Sequence, residues 1–350
     1  MKRILLFIGS ICLLLIGFLI CFNPIAASTP VMQTLKGTTL IDRLTEDSFK
    51  IELFYSDLSL SQIESYEVTA SHIEPCSTPY TSFTEGFISS DKHAILLDAV
   101  NKYRHFQGLT PITYYHNYME IDNYGFLSLT EGLGTLYIIN LSTYEITTPS
   151  FDSEYALESQ YVYHIVEGAD VYYILTAQAN SYKAFWYALS KDTFELKASR
   201  KLSPPTKALQ SNQYALDRNG SAYFIGSNSL LVITPEETIN IPLTFDPDTV
   251  YYADGQIYTL SLSELFLNYA VYNEDVGLSQ WGQVNLPNKF ASLVSCTIKN
   301  NILYTVTYDE NHPLYRNYLT LYSLENNNII YCLALKSHSG LLALQNAHFH

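Results

Sequence analysis

His164 and Glu167 are the candidates for acid–base chemistry in this chain. An imidazole that titrates near neutrality precedes a carboxylate by three residues at the end of the apolar run Gln160 to Glu167. The competing reading of the same residues is an ordinary strand histidine and a solvated turn acid. His348 and His350, with His338 upstream, could offer imidazoles to a metal, because positions two apart share one side of an extended segment. The alternative for them is a mobile terminal tail. Lys197, Arg200 and Lys201 lie in a basic stretch, Lys183 to Lys207, whose only acids are Asp192 and Glu195. Such a stretch is either a docking patch for an acidic surface or anionic lipid, or a guard against unwanted strand pairing. Asp246-Pro247-Asp248, Asn273-Glu274-Asp275 and Asp309-Glu310-Asn311 carry oxygen ligands for calcium but lack the twelve-residue loop pattern, and read as solvated loops. No Gly-x-Ser-x-Gly elbow, phosphate-binding Gly-rich loop or His-Glu-x-x-His helix occurs. No cofactor is expected.

The elements that would position these residues follow a repeat. From near residue 40 to near residue 335, about every 42 residues, an apolar Tyr-rich run ends in an Asp, Asn, Glu or Gly turn and a second run follows. The turns fall at Glu46-Asp47, Asp91-Lys92, Asn123 to Gly125, Glu167-Gly168, Asn219-Gly220, Asp254-Gly255 and Asn300-Asn301. Asn-Gly and Asp-Gly supply the positive φ angles of two-residue hairpins, so the first two strands of each unit are expected to be antiparallel neighbours. The clearest unit runs Thr249 to Ala253, Gln256 to Leu262, Phe266 to Tyr272 and Gln283 to Leu286; the last runs Leu293 to Ile298, Ile302 to Tyr308, Tyr318 to Leu324 and Ile329 to Leu335. Units beginning near Thr38 and Thr81 are irregular, which gives a count of seven, or six. No amphipathic helix of ordinary length is expected in the body.

A four-stranded sheet apolar on both faces, as Val250-Tyr251-Tyr252 and Val171-Tyr172-Tyr173-Ile174 imply, must stack against like neighbours, and closure into a ring removes the exposed ends. The 30 Tyr against 2 Trp suit packing between such sheets, with a Tyr-lined sugar- or peptide-binding face as the sharper alternative. Cys296 and Cys332 fall in the first and fourth strands of one unit, too far apart to bridge, and are expected as buried thiols.

Lys2-Arg3, the uncharged run Ile4 to Phe22 and the small residues near Ala27 form a leader. It reads as a cleaved signal peptide or a retained single anchor, and either version leaves the body outside the cytoplasm. The expected organisation is residues 1–28 signal peptide or anchor, 29–36 short tether, 37–336 repeat body and 337–350 C-terminal tail. A net charge of -15 repels phosphate backbones and argues against a nucleic-acid partner.

Strand order and period over residues 35 to 336 resemble the β-propeller superfamily, nearest to the YVTN-type and quinoprotein-like repeats of bacterial exteriors. The Gly-His and Trp-Asp pairs of WD40 blades, the double glycines of kelch blades and the docking Trp of quinone-binding repeats are missing, so the resemblance carries over no functional residue. It implies an all-β propeller of six or seven four-stranded blades. The expected function is non-enzymatic binding or scaffolding of a protein, peptide or glycan on the outer side of a bacterial membrane, which the chain would itself contact through an uncleaved leader. The alternative is an extracellular carbohydrate-active hydrolase or lyase with acids converging at the propeller funnel.

Overall fold

The computed structural model describes residues 32–36, 51–56, 63–68, 73–83, 86–115, 117–129, 135–150, 160–178, 183–203, 213–234, 236–253, 255–263, 266–273, 277–285, 292–299, 301–308, 315–336 and 343–349. After β1 (Met32–Lys36), the strands β2 (Ile51–Ser56), β3 (Ile63–Val68) and β4 (Ile73–Pro75) begin the first blade. The hairpin β5 (Tyr80–Phe83) and β6 (Gly86–Ser89) leads into helix α1 (Ser90–Phe106). The second blade holds β7 (Asn117–Ile121), β8 (Tyr124–Leu129), β9 (Thr135–Asn140) and β10 (Ile146–Thr147); the third holds β11 (Gln160–Glu167), β12 (Val171–Gln178), β13 (Ala184–Ser190) and β14 (Leu196–Leu202). The fourth comprises β15 (Tyr214–Leu216), β16 (Ala222–Gly226), β17 (Ser229–Ile233) and β18 (Thr238–Pro242), and the fifth β19 (Thr249–Ala253), β20 (Gln256–Leu262), β21 (Phe266–Asn273) and β22 (Gly277–Asn285). The sixth has β23 (Ser292–Lys299), β24 (Ile302–Tyr308), β25 (Tyr315–Ser323) and β26 (Asn328–Lys336), and β27 (Ala343–Phe349) ends the described chain.

Each blade is an antiparallel meander, and the inner strands β7, β11, β15, β19, β23 and β27 contact one another in succession. The protein is a six-bladed β-propeller. Turn chemistry sets the register: Gly220 and Gly255 take φ of +86° and +74°, and Asn301 takes +58°, where the sequence places its hairpin signals. Successive apolar clusters then join second to third, third to fourth, fourth to fifth, fifth to sixth and sixth to first blades. Tyrosine dominates these seams: the largest side chains with less than 2% exposure are Phe54 and eleven tyrosines, among them Tyr187, Tyr223, Tyr258 and Tyr322. Each such ring contributes roughly 2–3 kcal/mol of burial. The abundance of Tyr therefore serves inter-blade packing.

Three expectations need correction. Of the expected six or seven blades the structure has six, because the segment beginning near Thr81 makes no blade. Its Asp91-Lys92 lies in the first turn of α1, a 17-residue helix that the strand-centred reading missed. Leu96, Val100 and Arg104 recur every four residues and are buried against the second blade, together with Ile88 of β6. Phe54 of the first blade stacks on Phe87 at 5.0 Å and meets Tyr80 edge-on at 4.9 Å. The hairpin and helix thus form a wedge between first and second blades. Gly108, at φ +69°, and the bond from Leu109 N–H to the Arg104 carbonyl end the helix.

The two ends of the body also differ from expectation. Within the expected tail 337–350, residues 343–349 form β27, which pairs with β2 along Ile51↔Phe349 to Ser56↔Ala343 and supplies the first blade's inner strand. Within the supposed tether 29–36, β1 pairs with β26 as a fifth strand of the sixth blade. The ring is therefore clasped twice, by its last strand inside and its first strand outside. Among the described residues no helix is long and apolar enough to cross a membrane; the leader 1–28, Glu46-Asp47, His338 and His350 lie outside the described residues. Cys296 and Cys332 are buried and unbridged on β23 and β26, separated by β24 and β25, and Cys76 is a free thiol as well.

Candidate binding groove at the third and fourth blades

His164 and Glu167 do not converge. The ladder between β11 and β12 is regular from His164↔Leu175 to Glu167↔Tyr172, so residues three apart face opposite sides of the sheet. Glu167 is engaged by the Lys191 ammonium, which also lies 5.7 Å over the Tyr172 ring. His348 stands on β27 opposite Glu52. Asp246 and Asp248 are occupied in holding loops, by accepting Asn228 N–H at 3.0 Å and Leu262 N–H at 2.9 Å.

Lys197, Arg200 and Lys201 do share an element, the outer strand β14 of the third blade. Cross-strand partners divide them: Arg200 stands opposite Trp186, and Lys201 opposite Phe185. Phe185 and Tyr187 pack toward the second blade, whereas Trp186 and Leu202 pack toward the fourth. Arg200 accordingly crosses the seam to donate from Nη1 to the Thr234 carbonyl at 2.6 Å. Lys197, at a bulge, and Lys201 are exposed, and Lys197 Nζ lies 3.8 Å from Glu195.

Beside β14 this seam opens into a groove of about 280 Å³. Ala198, Leu202, Ala222 and Ile233 wall it, and Trp186, Ser199, Arg200 and Thr234 supply its polar groups. Its geometry is set from the Asn219-Gly220 turn. Asp217, 4% exposed, accepts the N–H groups of Asn219 and Ser221, both at 2.9 Å, and the Tyr223 hydroxyl at 2.7 Å. That turn brings Gly220 so close to the third blade that a Cβ there would lie 2.8 Å from the Tyr173 ring and 3.1 Å from Trp186. Tyr173 stacks on Trp186 at 5.5 Å and fixes the indole plane. The Trp186 indole Nε1 is buried with no hydrogen-bond acceptor among the described residues, and it is the donor of that kind that lines the groove.

A second cavity, about 530 Å³, lies in the first blade against the wedge and is lined by Glu52, Glu67, Glu74, Cys76 and Tyr80. Glu52, Glu67 and Glu74 occupy one register row across β2, β3 and β4, with His348 at the next position on β27. The Tyr80 hydroxyl donates to Glu52. Burial, the larger cause, and the neighbouring carboxylates push the Cys76 thiol up to about 11. Sequence reasoning missed this cavity because the row exists only once three strands are in register. Trp186, one of only two tryptophans, carried a compositional signal but no position.

No protein-family model and no curated protein sequence matches this chain. Solved structures with similar arrangements include a prolyl endopeptidase, at 9% identity and TM-score 0.46, covering 83% of this chain and 49% of that one. The Pan2 WD40 domain of Neurospora crassa gives 12% identity and 0.39 over 60% and 61%. A putative 6-phosphogluconolactonase from Bacteroides uniformis gives 10% and 0.45 over 86% and 99%. The chain thus spans about half of the endopeptidase and three fifths of the Pan2 domain.

Proposed function

We propose that the protein is a non-enzymatic binding propeller, held on the outer side of a bacterial membrane by residues 4–22, and that it takes an extended acidic peptide along β14. The unaccepted Trp186 indole N–H beside Arg200 carries this reading. A small opening of the groove would let a peptide carboxylate or carbonyl reach and satisfy that buried donor, and Lys197 and Lys201 add positive charge to a molecule of net charge -15. Among the described residues the outer edge of β14 pairs with no strand, so its backbone is open to strand addition. The molecule itself uses this mode where β1 adds to β26.

Fluorescence anisotropy with a labelled peptide of alternating Glu and Val tests the reading. Trp186→Phe, which keeps the stacked ring and removes the N–H, should weaken binding about tenfold, as a lost charge-assisted bond implies. Lys197→Glu with Lys201→Glu should abolish it at low salt. Equal binding of a Lys-Val peptide, or indifference to both variants, refutes the site. For location, Lys2-Arg3 before nineteen uncharged residues supports outward orientation with retention. An intact Met1 on membrane-embedded protein is the expected result of N-terminal sequencing, and a new N-terminus near Ser28 would show secretion instead.

A second reading, a carbohydrate-active hydrolase, has the Glu52, Glu67 and Glu74 row in its favour. Directly opposed strand residues have Cα atoms about 5 Å apart, close enough for their carboxyl groups to approach each other as the acid and nucleophile of glycosidases do. Those acids stand on the second to fourth strands of the first blade, away from the inner strands round the axis. Release of reducing sugar from bacterial wall glycans, abolished by Glu67→Gln, would favour this reading over the first.

A further inference from the structure

Large apolar side chains are left in solvent at one end of the wedge. Phe106 is 85% exposed, Tyr114 53% and Leu109 49%, all within nine residues at and beyond the end of α1. Scattered single exposures are ordinary, but three together, with Phe106 the most exposed of them, are not. Their place in the ring follows from contacts. Lys92, in the first turn of α1, pairs with Glu120 near the end of β7. The other end of the helix is fastened by Asn101 to both polar groups of the Ile112 backbone, at 2.9 and 2.7 Å, and by Arg104 Nε to the Thr110 carbonyl at 2.6 Å. Residues 110–112 lead directly into the start of β7, an inner strand. The exposed side chains therefore lie on the side of the ring where inner strands begin.

The leader enters from the same side. β1 starts with Met32 opposite Leu335 near the end of β26, from which residues 337–342 lead to the start of the inner strand β27. Only residues 23–31 separate the apolar run 4–22 from β1, and nine residues reach at most about 30 Å. A propeller on so short a leash must keep that side close to the bilayer. We infer that Phe106, Leu109 and Tyr114 insert into the lipid surface as a second point of attachment, fixing the tilt of the ring; this rests on the proposed retention of residues 4–22. Tyr and Phe suit the interface, where an apolar body meets a polar boundary. The net charge of -15 opposes attraction to anionic headgroups, so the contact is apolar and should persist on phosphatidylcholine.

The full chain is reconstituted in phosphatidylcholine vesicles with and without brominated acyl chains. Emission added by Phe106→Trp is read above that of Trp186 and Trp281. Tyr144→Trp is the control, because Tyr144 is 42% exposed in the turn between β9 and β10, on the other side of the ring. Brominated lipid should remove at least half of the emission added by F106W and leave that added by Y144W, while aqueous iodide does the reverse. Emission from F106W that iodide quenches as fully as in the control overturns the inference, and emission shielded from both quenchers overturns it by showing that protein covers the site. Carbonate extraction separates the two levels. A chain that stays embedded while F106W is untouched by bromine refutes the contact alone, whereas a chain released by carbonate refutes the anchor and the contact with it.

Discussion

Replacing Asp217 by Ala should destabilise the protein by about 3–4 kcal/mol, most of it from two donors that cannot reach water. Among its interactions the carboxylate accepts bonds from Asn219 N–H, Ser221 N–H and the Tyr223 hydroxyl. Asn219 is exposed, so water replaces the lost acceptor there at little cost. Ser221 and Tyr223 are each 1% exposed, and a buried donor deprived of an ionised acceptor costs about 1.5–2 kcal/mol. Asp217→Asn keeps one oxygen for both N–H groups, and the Tyr223 hydroxyl can turn to accept from the new amide; the expected cost is about 1 kcal/mol. Tyr223→Phe should also cost about 1 kcal/mol, and because it removes one stranded donor, D217A on that background should cost less than on the wild type. Urea unfolding followed by circular dichroism measures the wild type and the four variants, and unchanged m-values are needed for the comparison. D217A within 1 kcal/mol of wild type would refute the account. So would D217N as costly as D217A, because the loss would then lie in charge rather than in acceptors. The groove gives an independent signal: the turn seats Gly220 against Trp186, so D217A should shift tryptophan emission while D217N leaves it nearly unchanged.

Stopping the chain after residue 342 removes β27 and bares the edge of β2 at the centre of the ring; size exclusion should show self-association, and thermal unfolding should lose cooperativity. Cys296, whose thiol burial pushes up to about 12, and fully buried Cys332 should label with a thiol reagent only on unfolding. Cys76 is partly accessible, and its labelling should rise nearly tenfold per pH unit between 7 and 10 as the thiolate forms toward about 11. Stability should fall in alkali: Tyr172, raised to about 12, and Tyr55, Tyr66 and Tyr322, raised further by burial, hold protons that the unfolded chain releases near 10. Their contribution is thus complete below pH 9 and is lost from about 10 upward, visible as a falling melting temperature between pH 9 and 12.

Much of the architecture was legible because local chemistry and tertiary pairing agree. The strands Thr249–Ala253, Gln256–Leu262 and Ile302–Tyr308 match the sequence reading residue for residue, since Asp-Gly and Asn-Asn turns fix where each hairpin reverses. The helix is hidden in the sequence for a physical reason. Its face toward the second blade recurs as Leu96, Val100 and Arg104, a basic residue in the third place, and its far face keeps Ile95 and Phe106 in solvent. The periodicity is thereby blurred on both sides. β27 was illegible for another cause. Its partner β2 lies almost 300 residues earlier in the chain, and no local pattern in Ala343 to Phe349 announces a strand that completes the first blade.

The candidate sites sort by the same distinction. Lys197, Arg200 and Lys201 were legible as a charge contrast along one strand, but only the register separates their roles, turning Arg200 inward to Thr234 and the fourth blade while Lys197 and Lys201 face solvent. Trp186 joins them through pairing with Arg200, and Gly220 through an approach from the next blade. His164 and Glu167 show the converse, for strand alternation sets these two residues, three apart on β11, on opposite faces of the sheet. In a fold built from repeats, chemistry assembles across strands and seams, and neighbours along the chain are the residues least able to meet.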